Sequence, residues 1–388
     1  MNCTKKIFTV FLVFVFLLIL VKGFNFLVGL LTSTTPATLT SNQLQTTRSI
    51  LLSEFAPNLD ELVMPTNEYM IETQSLEQKG YRLRTDKDGF ILGPADFAET
   101  NKNKAVDVVF FGGSTTECIY VDEEYRFPYL LSRTLRRNDG QYIRVLNGGR
   151  SANHSLHSLF SYLAKGIVYK PRYAVLMEAV NDVAILSKTL SYWNAPVSRR
   201  LVQQTTIDSM GLLYWNAKAL KDVFLSNIWL NTRHRLADKV ERVSRSDEWI
   251  DFRDKKIDLK EIENILESDF KAALKSFVAV TRAWGIEPVL MTQPNRLNEA
   301  DSFSRTLYEK RPQPISYDEF VRLYRLANDI VREVSRDERV LLIDLDKKIE
   351  GSSAFVYDEI HLNQRGSKLV ADIIAKTFLE HNPKYFNN

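Results

Sequence analysis

The chain predicts an α/β protein, a three-layer α/β/α sandwich around a mainly parallel, flavodoxin-like sheet of five strands. Three observations carry that expectation. From residue 106 onward, short apolar runs alternate with helical patterns, as they do when parallel strands are joined by helical crossovers. One of these runs, residues 106–111 (Val-Asp-Val-Val-Phe-Phe), is β-branched and aromatic, as suits a strand covered on both faces. It stops abruptly at Gly112-Gly113-Ser114. Glycines there let the backbone turn tightly, and open α/β sheets bind ligands beyond the carboxyl ends of their strands.

The elements before that strand come first. Lys5-Lys6 precede an apolar run over residues 7–21, which resumes after Lys22 and reaches Leu31. Residues 7–31 make 25 positions, and a membrane-spanning helix needs roughly 20. Lys22 can snorkel towards the headgroups from a helix end. The competing reading is a cleaved signal peptide with 7–21 as its apolar region. No small-x-small site follows directly, which favours an uncleaved signal-anchor over residues 1–31. Lys5 and Lys6 lie before the span, and no positive charge follows it until Arg48. The expected orientation is therefore an N-terminus in the cytoplasm and a body in the periplasm or outside the cell. Cys3 and Cys118 then lie on opposite sides, so no disulfide framework is expected, and no cysteine–histidine spacing suggests zinc.

Residues 32–104 read as a lead-in. The Thr- and Ser-rich stretch 32–47 is a tether, residues 49–62 suggest a short helix, and alternation on either side of Asp88-Gly89 suggests a β-hairpin over 80–92. The main domain is expected over residues 105–382. Its strands are read at 106–111, 143–146, 173–179, 288–292 and 340–345, and its helices at 127–137, 154–168, 259–284, 317–335 and 364–379. The rhythm breaks at 183–258, far longer than a crossover needs. This insertion carries Trp193, Trp215, Trp229 and Trp249, an apolar helical stretch at 210–230, and basic clusters at Arg199-Arg200 and Arg233-His234-Arg235. Following a strand's carboxyl end, it is placed to form a lid or wall of a site; the plain alternative is a small helical subdomain serving stability. A formal net charge of +3 with no arginine- or lysine-rich stripe argues against nucleic acid as a partner.

The strand ends carry the chemistry. Ser114 follows the first strand, Asn147-Gly148-Gly149-Arg150-Ser151 the second and Asn181-Asp182 the third, while Asp358-Glu-Ile-His361 precedes the last helix. In a parallel sheet such ends share one edge and can converge. A serine hydroxyl is a poor nucleophile until an imidazole takes its proton, and the imidazole needs a carboxylate to fix its tautomer. Asp358 and His361 are three residues apart, so one turn can present both. Ser114, His361 and Asp358 are thus the candidate catalytic set. The Ser114 N–H, the Gly149 N–H and the Asn181 amide are the candidate oxyanion donors. Gly113, Glu117, Asp182, His154 and Gln293 are placed as lining the substrate, with His154 and His157 read first as structural residues near the Gly149 loop. Taken singly, each has a plain reading: Ser114 an N-cap, Asn181-Asp182 a turn, Gly148-Gly149 a tight connection, His361 a helix-start residue bonded to Asp358.

With these residues in chain order, the sequence resembles the SGNH/GDSL hydrolases, whose four letters fall on Ser114, Gly149, Asn181 and His361. The resemblance covers roughly residues 106–379 outside the insertion. Its most specific block is Asp358-x-x-His361 followed by Gly366 and a helix. Two departures stand out. The usual Gly-Asp-Ser is Gly112-Gly113-Ser114, similar to a subgroup with Gly-Gly-Ser-Thr-Thr-Glu, and Ala179 stands where a glycine usually precedes the asparagine by two. The resemblance implies the three-layer fold, ester chemistry and no metal or organic cofactor. The expected function is a membrane-anchored serine esterase acting on an acyl or acetyl ester of an envelope polysaccharide or lipid. An acyltransferase using the same three residues, or a non-catalytic glycan- or lipid-binding module, are the alternatives.

Overall fold

A computed structural model describes residues 46–94, 105–194, 200–206, 257–297, 300–349, 351 and 353–387. The expected signal-anchor, the tether up to residue 45 and the stretch of the insertion over 207–256 lie outside the described residues. Among the described residues no helix is long and apolar enough to cross a membrane. The chain divides into two units. The first holds Met1–Ser49 and Gln204–Ser244, and its described part belongs to the paired strands Thr46–Ile50 and Val202–Thr206. The second, Ile50–Gln203 with Arg245–Asn388, carries everything below.

Its centre is a five-stranded sheet. The strands are β1 (Val108–Gly112), β2 (Val145–Asn147), β3 (Tyr173–Met177), β4 (Glu287–Met291) and β5 (Leu341–Ile343). Their spatial order is β5-β4-β3-β1-β2 and every neighbour pair is parallel. That is the doubly wound 2-1-3-4-5 order, whose direction reverses between β1 and β3. β1 and β3 run in register from Val108↔Tyr173 to Gly112↔Met177, so their carboxyl ends are level. The helices used below are α1 (Asn67–Ile71), α2 (Ser114–Glu117), α3 (Phe127–Thr134), α4 (Ser155–Ser161), α5 (Val180–Thr189), α6 (Lys271–Ala283), α7 (Tyr317–Asp337) and α8 (Gln364–His381).

The pleat sorts the strands' side chains into two cores. Val109, Phe111, Ala174, Leu176 and Leu290 join Leu186 of α5, Phe277 of α6 and Tyr324 of α7 on one face. Val108, Phe110, Val175, Met177, Val289 and Ile343 join Phe127 and Leu131 of α3 and Ile374 and Phe378 of α8 on the other. Each fully buried side chain of this kind contributes about 1.5–3 kcal/mol. Capping fixes where two of the helices begin. Ser316 and Glu319 form a reciprocal capping box before α7, and Asn363 accepts from Gly366 N at 3.0 Å before α8. A Cβ on Gly366 would lie 1.9 Å from Phe355 O, so only glycine lets α8 start this close to the loop that carries His361.

The five strands fall where the sequence places them, within a few residues. Several other expectations need correcting. Residues 49–62 form no helix, because Pro57 lacks an N–H and Asn58 sits at φ 56°; Asp60–Val63 is instead a strand. The turn at Gly89 (φ 75°) forms, closed by Asp86 N donating to Phe90 O at 2.9 Å. The strand before it, Tyr81–Arg84, pairs with Asp60–Val63, and residue 91 bridges Thr85 and then Asn147. The helical run expected at 154–168 does form, as α4 to Ser161, then a wider helical turn over Tyr162–Gly166 and a tighter one over Ile167–Tyr169; a Cβ on Gly166 would lie 2.7 Å from the Phe111 ring. The helix Ser302–Glu309 and the turn Leu345–Lys348 were not anticipated. The first residues of the insertion, up to Thr189, belong to α5.

Candidate active site

β1 runs out at Gly112, and Ser114 opens the four-residue α2. The two glycines are required by proximity. A Cβ on Gly112 would stand 2.5 Å from Met177 O, and one on Gly113 would stand 2.4 Å from Asn181 Nδ2. Their absence lets the end of β3 and the Asn181 amide close in on the serine. As the first residue of a helix, Ser114 leaves its N–H without an intrahelical acceptor.

Ser114 Oγ lies 2.6 Å from His361 Nε2, across 247 residues of chain. His361 Nδ1 lies 2.6 Å from Asp358 Oδ2. The other carboxylate oxygen of Asp358, Oδ1, accepts the backbone N–H groups of Ile360 (2.9 Å) and His361 (2.8 Å). Burial works against charge on Asp358. The imidazole of His361 and these N–H groups outweigh it, and the carboxyl is held below its usual range. An ionised carboxylate only accepts, so Nδ1 carries a proton and Nε2 presents its lone pair to the Ser114 hydroxyl. Burial also disfavours an imidazolium at His361, but Asp358, with smaller contributions from Glu359 and Glu117, raises it above the ordinary imidazole value.

The two other candidate oxyanion donors are placed differently. Asn181 Nδ2 donates one hydrogen to Asn153 O at 2.6 Å, and a side-chain amide has a second. Gly149 departs from expectation: its N–H donates to Asn147 Oδ1 at 2.9 Å. A Cβ there would stand 2.3 Å from Glu117 N, so Gly149 serves close packing of the β2 loop against α2.

The expected lining residues divide. Gly113 borders the site through Asn181. Glu117 does not: its side chain is fully buried, held by Arg150 Nη1 at 3.1 Å and by the Ser151 hydroxyl, and burial raises its carboxyl. Asp182 is also fully buried. It caps α4 by accepting Ser155 N (3.1 Å) and Ser155 Oγ (2.6 Å) and also accepts from Tyr192; burial lifts it to about 6. Glu178 beside it is driven well up by burial and by Asp182, and accepts Ser158 Oγ at 2.6 Å. His154 is buried too, its ring 4.0 Å from His157 and 4.7 Å from Tyr192. Gln293 is a tie beneath the site: Oε1 accepts Val180 N at 2.9 Å and Nε2 donates to Thr115 Oγ1 at 2.7 Å. Three polar residues expected to face substrate, Glu117, Asp182 and Gln293, thus tie the segments that follow the strands, and His154 is packed among aromatic rings.

Two aromatic residues went unread in the sequence. Tyr357 stacks on the His361 ring, centroids 5.5 Å apart and planes 11° off parallel. Tyr69, from α1 in the lead-in, donates its hydroxyl to Asp358 Oδ2 at 3.1 Å. The only signal for Tyr357 is its place one residue before Asp358; Tyr69 has none. Beside His361 opens a cavity of about 180 Å³, its apolar wall made by residues such as Val180, Ala184, Leu297 and Phe320 and its polar wall by residues such as Lys188 and Glu359. Among the described residues no group of three His, Cys, Asp or Glu is arranged to hold a metal ion.

No protein-family model and no curated protein matches the chain. Solved structures resembling it include a lipase/acylhydrolase from Enterococcus faecalis, at 16% identity over 71% of this chain and 96% of that one, TM-score 0.39. An α/β hydrolase from the metagenome of Lake Arreo shows 15% identity over 72% and 95%, TM-score 0.38. A catalytic mutant of an acetylxylan esterase from Geobacillus stearothermophilus shows 16% identity over 71% and 94%, TM-score 0.36. The chemistry of the site rests on its own geometry.

Proposed function

We propose that this chain is a serine esterase of SGNH/GDSL type. The carrying observation is the unbroken line from Ser114 Oγ through His361 to Asp358, two contacts of 2.6 Å each. The Ser114 hydroxyl attacks an ester carbonyl as His361 Nε2 takes its proton. His361 returns that proton to the leaving alcohol, and a water activated the same way releases the acid and frees Ser114. Asp358 holds the Nδ1–H tautomer and supports the imidazolium. The Ser114 N–H and the second Asn181 amide hydrogen are the donors for the oxyanion, each typically worth about 100- to 1,000-fold in turnover.

The cavity beside His361 is the acyl pocket. At about 180 Å³ it offers the space of roughly six waters, enough for an acyl chain longer than acetyl. Residues 1–31 anchor the chain by their apolar run behind Lys5-Lys6, which puts the catalytic domain in the periplasm or outside the cell. An acylated envelope polysaccharide or lipid is then the substrate class within reach.

The test is hydrolysis of p-nitrophenyl esters from acetate to palmitate by the full chain and by Ser114→Ala. Ser114-dependent turnover that peaks at short-to-medium acyl length supports the reading. A folded protein that hydrolyses none of the series overturns it. Extraction of membranes at alkaline pH checks the anchor, which predicts that the chain stays in the pellet.

A further inference from the structure

Tyr69 stands 289 residues before Asp358 in the chain, in a five-residue helix of the lead-in, yet it reaches the centre of the site. Its hydroxyl is 3.1 Å from Asp358 Oδ2 and 3.4 Å from His361 Nδ1. We infer that Tyr69 is a positioning residue for the proposed reaction, holding the Asp358 carboxylate in place and moderating its pull on His361. This rests on the reading of Ser114, His361 and Asp358 given above.

Counting donors makes the case. A carboxylate has about four acceptor directions. Oδ1 of Asp358 takes the N–H groups of Ile360 and His361, and Oδ2 takes His361 Nδ1–H and the Tyr69 hydroxyl. Tyr69 fills the last one, so the carboxylate has no free direction into which to rotate. Because it shares Oδ2 with His361, it also draws off part of the charge that stabilises the imidazolium. Burial, and then the charge of Asp358, keep the phenol protonated and therefore a donor across the neutral range.

The surroundings hold Tyr69 for this task. Thr66 caps its helix, accepting Tyr69 N at 3.2 Å. The ring lies 5.3 Å from Tyr120 and meets Tyr357 edge-on at 6.4 Å, and Tyr357 in turn stacks on His361. Just past the helix, Gln74 N donates to Tyr357 O at 2.7 Å.

The experiment is Tyr69→Phe in the full chain, which keeps the ring and removes the donor. The expected result is a fall in kcat on the order of tenfold, the effect of losing one hydrogen bond to a charged group, with KM little changed. The acid limb of the kcat/KM profile moves to higher pH, because Oδ2 regains charge and His361 becomes more basic. Glu359 and Glu117, which also raise the imidazole, are untouched by the change. Proton NMR of the His361 ring follows the same titration without any substrate, so this arm stands even if no ester is turned over; Ser114→Ala decides that separate question. Tyr120→Phe is the packing control and leaves the titration where it is in the parent chain. A Tyr69→Phe protein with parental kcat and titration overturns the inference. So does an equal shift in Tyr120→Phe, which would assign the effect to ring packing.

Discussion

His361 is where the site's electrostatics meet, and the sign of its perturbation sets the pH behaviour. A general base must be neutral, and Asp358 holds this imidazole above its ordinary value. Activity is therefore expected to fall as pH drops through a point above the ordinary imidazole value. Asp358→Asn removes the charge, so the acid limb moves to lower pH, opposite in direction to Tyr69→Phe. Turnover falls by about 10⁴-fold, the loss seen when the wrong tautomer is presented. A pH profile of kcat/KM for both variants checks this; limbs moving the same way would contradict the assignment. The same shifts act on stability. The raised His361 contributes below the imidazole's unfolded value and loses that contribution as pH rises through its folded one. The lowered Asp358 contributes above the carboxyl's unfolded value and loses its share as pH falls. Ser114, Asn181, Asp358 and His361 were legible because their chemistry requires those residue types beyond strand ends, and the structure brings them together.

At the scale of elements, the site depends on how the strand ends are tied, and here the sequence was less readable. Gln293, Asp182, Glu117 and His154 are polar residues near strand ends, the signature expected of substrate contacts. Their side chains are buried instead: Gln293 and Asp182 bond backbone and hydroxyl groups of α2, α4 and α5, Glu117 bonds Arg150 and Ser151, and the His154 ring packs on His157 and Tyr192. Residue type and position show that a polar group is needed at such a place; which way it faces depends on neighbours far along the chain. Gln293→Leu therefore acts on structure first. It leaves the part-buried Val180 N–H and the buried Thr115 hydroxyl unpaired, an expected loss of about 1–3 kcal/mol in urea unfolding, with lower kcat as Asn181 and Ser114 lose their common tie. Unchanged stability would show that another group takes over both bonds. The Asp182–Glu178 pair gives a second test. Burial raises both carboxyls on folding, Asp182 to about 6, so their contribution is complete below the unfolded carboxyl range and is lost as pH rises through the folded values. Unfolding free energy measured from pH 4 to 7 should carry this downward term, and Asp182→Asn should flatten it.

On the scale of the whole molecule, the segment before the first central strand is part of the catalytic unit, and no motif announced that. The sequence shows the lead-in as a tether, a short helix and a hairpin because the interactions that join it to the sheet are long-range. Arg82 O accepts buried Arg126 Nη2 at 2.7 Å, Arg84 Nε meets Glu123 at 3.0 Å, and Ile91 N donates to Asn147 O beside β2 at 2.9 Å. Phe90 is fully buried and meets Phe111 of β1 edge-on, centroids 6.1 Å apart. A chain that begins at residue 95 would lose all of these. Emptying the Phe90 site alone costs about 3–5 kcal/mol by analogy with Phe→Ala substitutions in cores, and the Arg126 guanidinium would lose an acceptor while buried. That is a large part of the roughly 5–15 kcal/mol that keeps a domain folded. The expected outcome is a chain from residue 95 that melts well below the parent and has no Ser114-dependent esterase activity. A chain from residue 50 keeps both, since it retains α1, the paired strands Asp60–Val63 and Tyr81–Arg84, and Phe90. Thermal unfolding followed by circular dichroism, beside the ester assay on the same samples, separates the cases. A stable and fully active chain from residue 95 would show that the lead-in merely rests on the sheet domain.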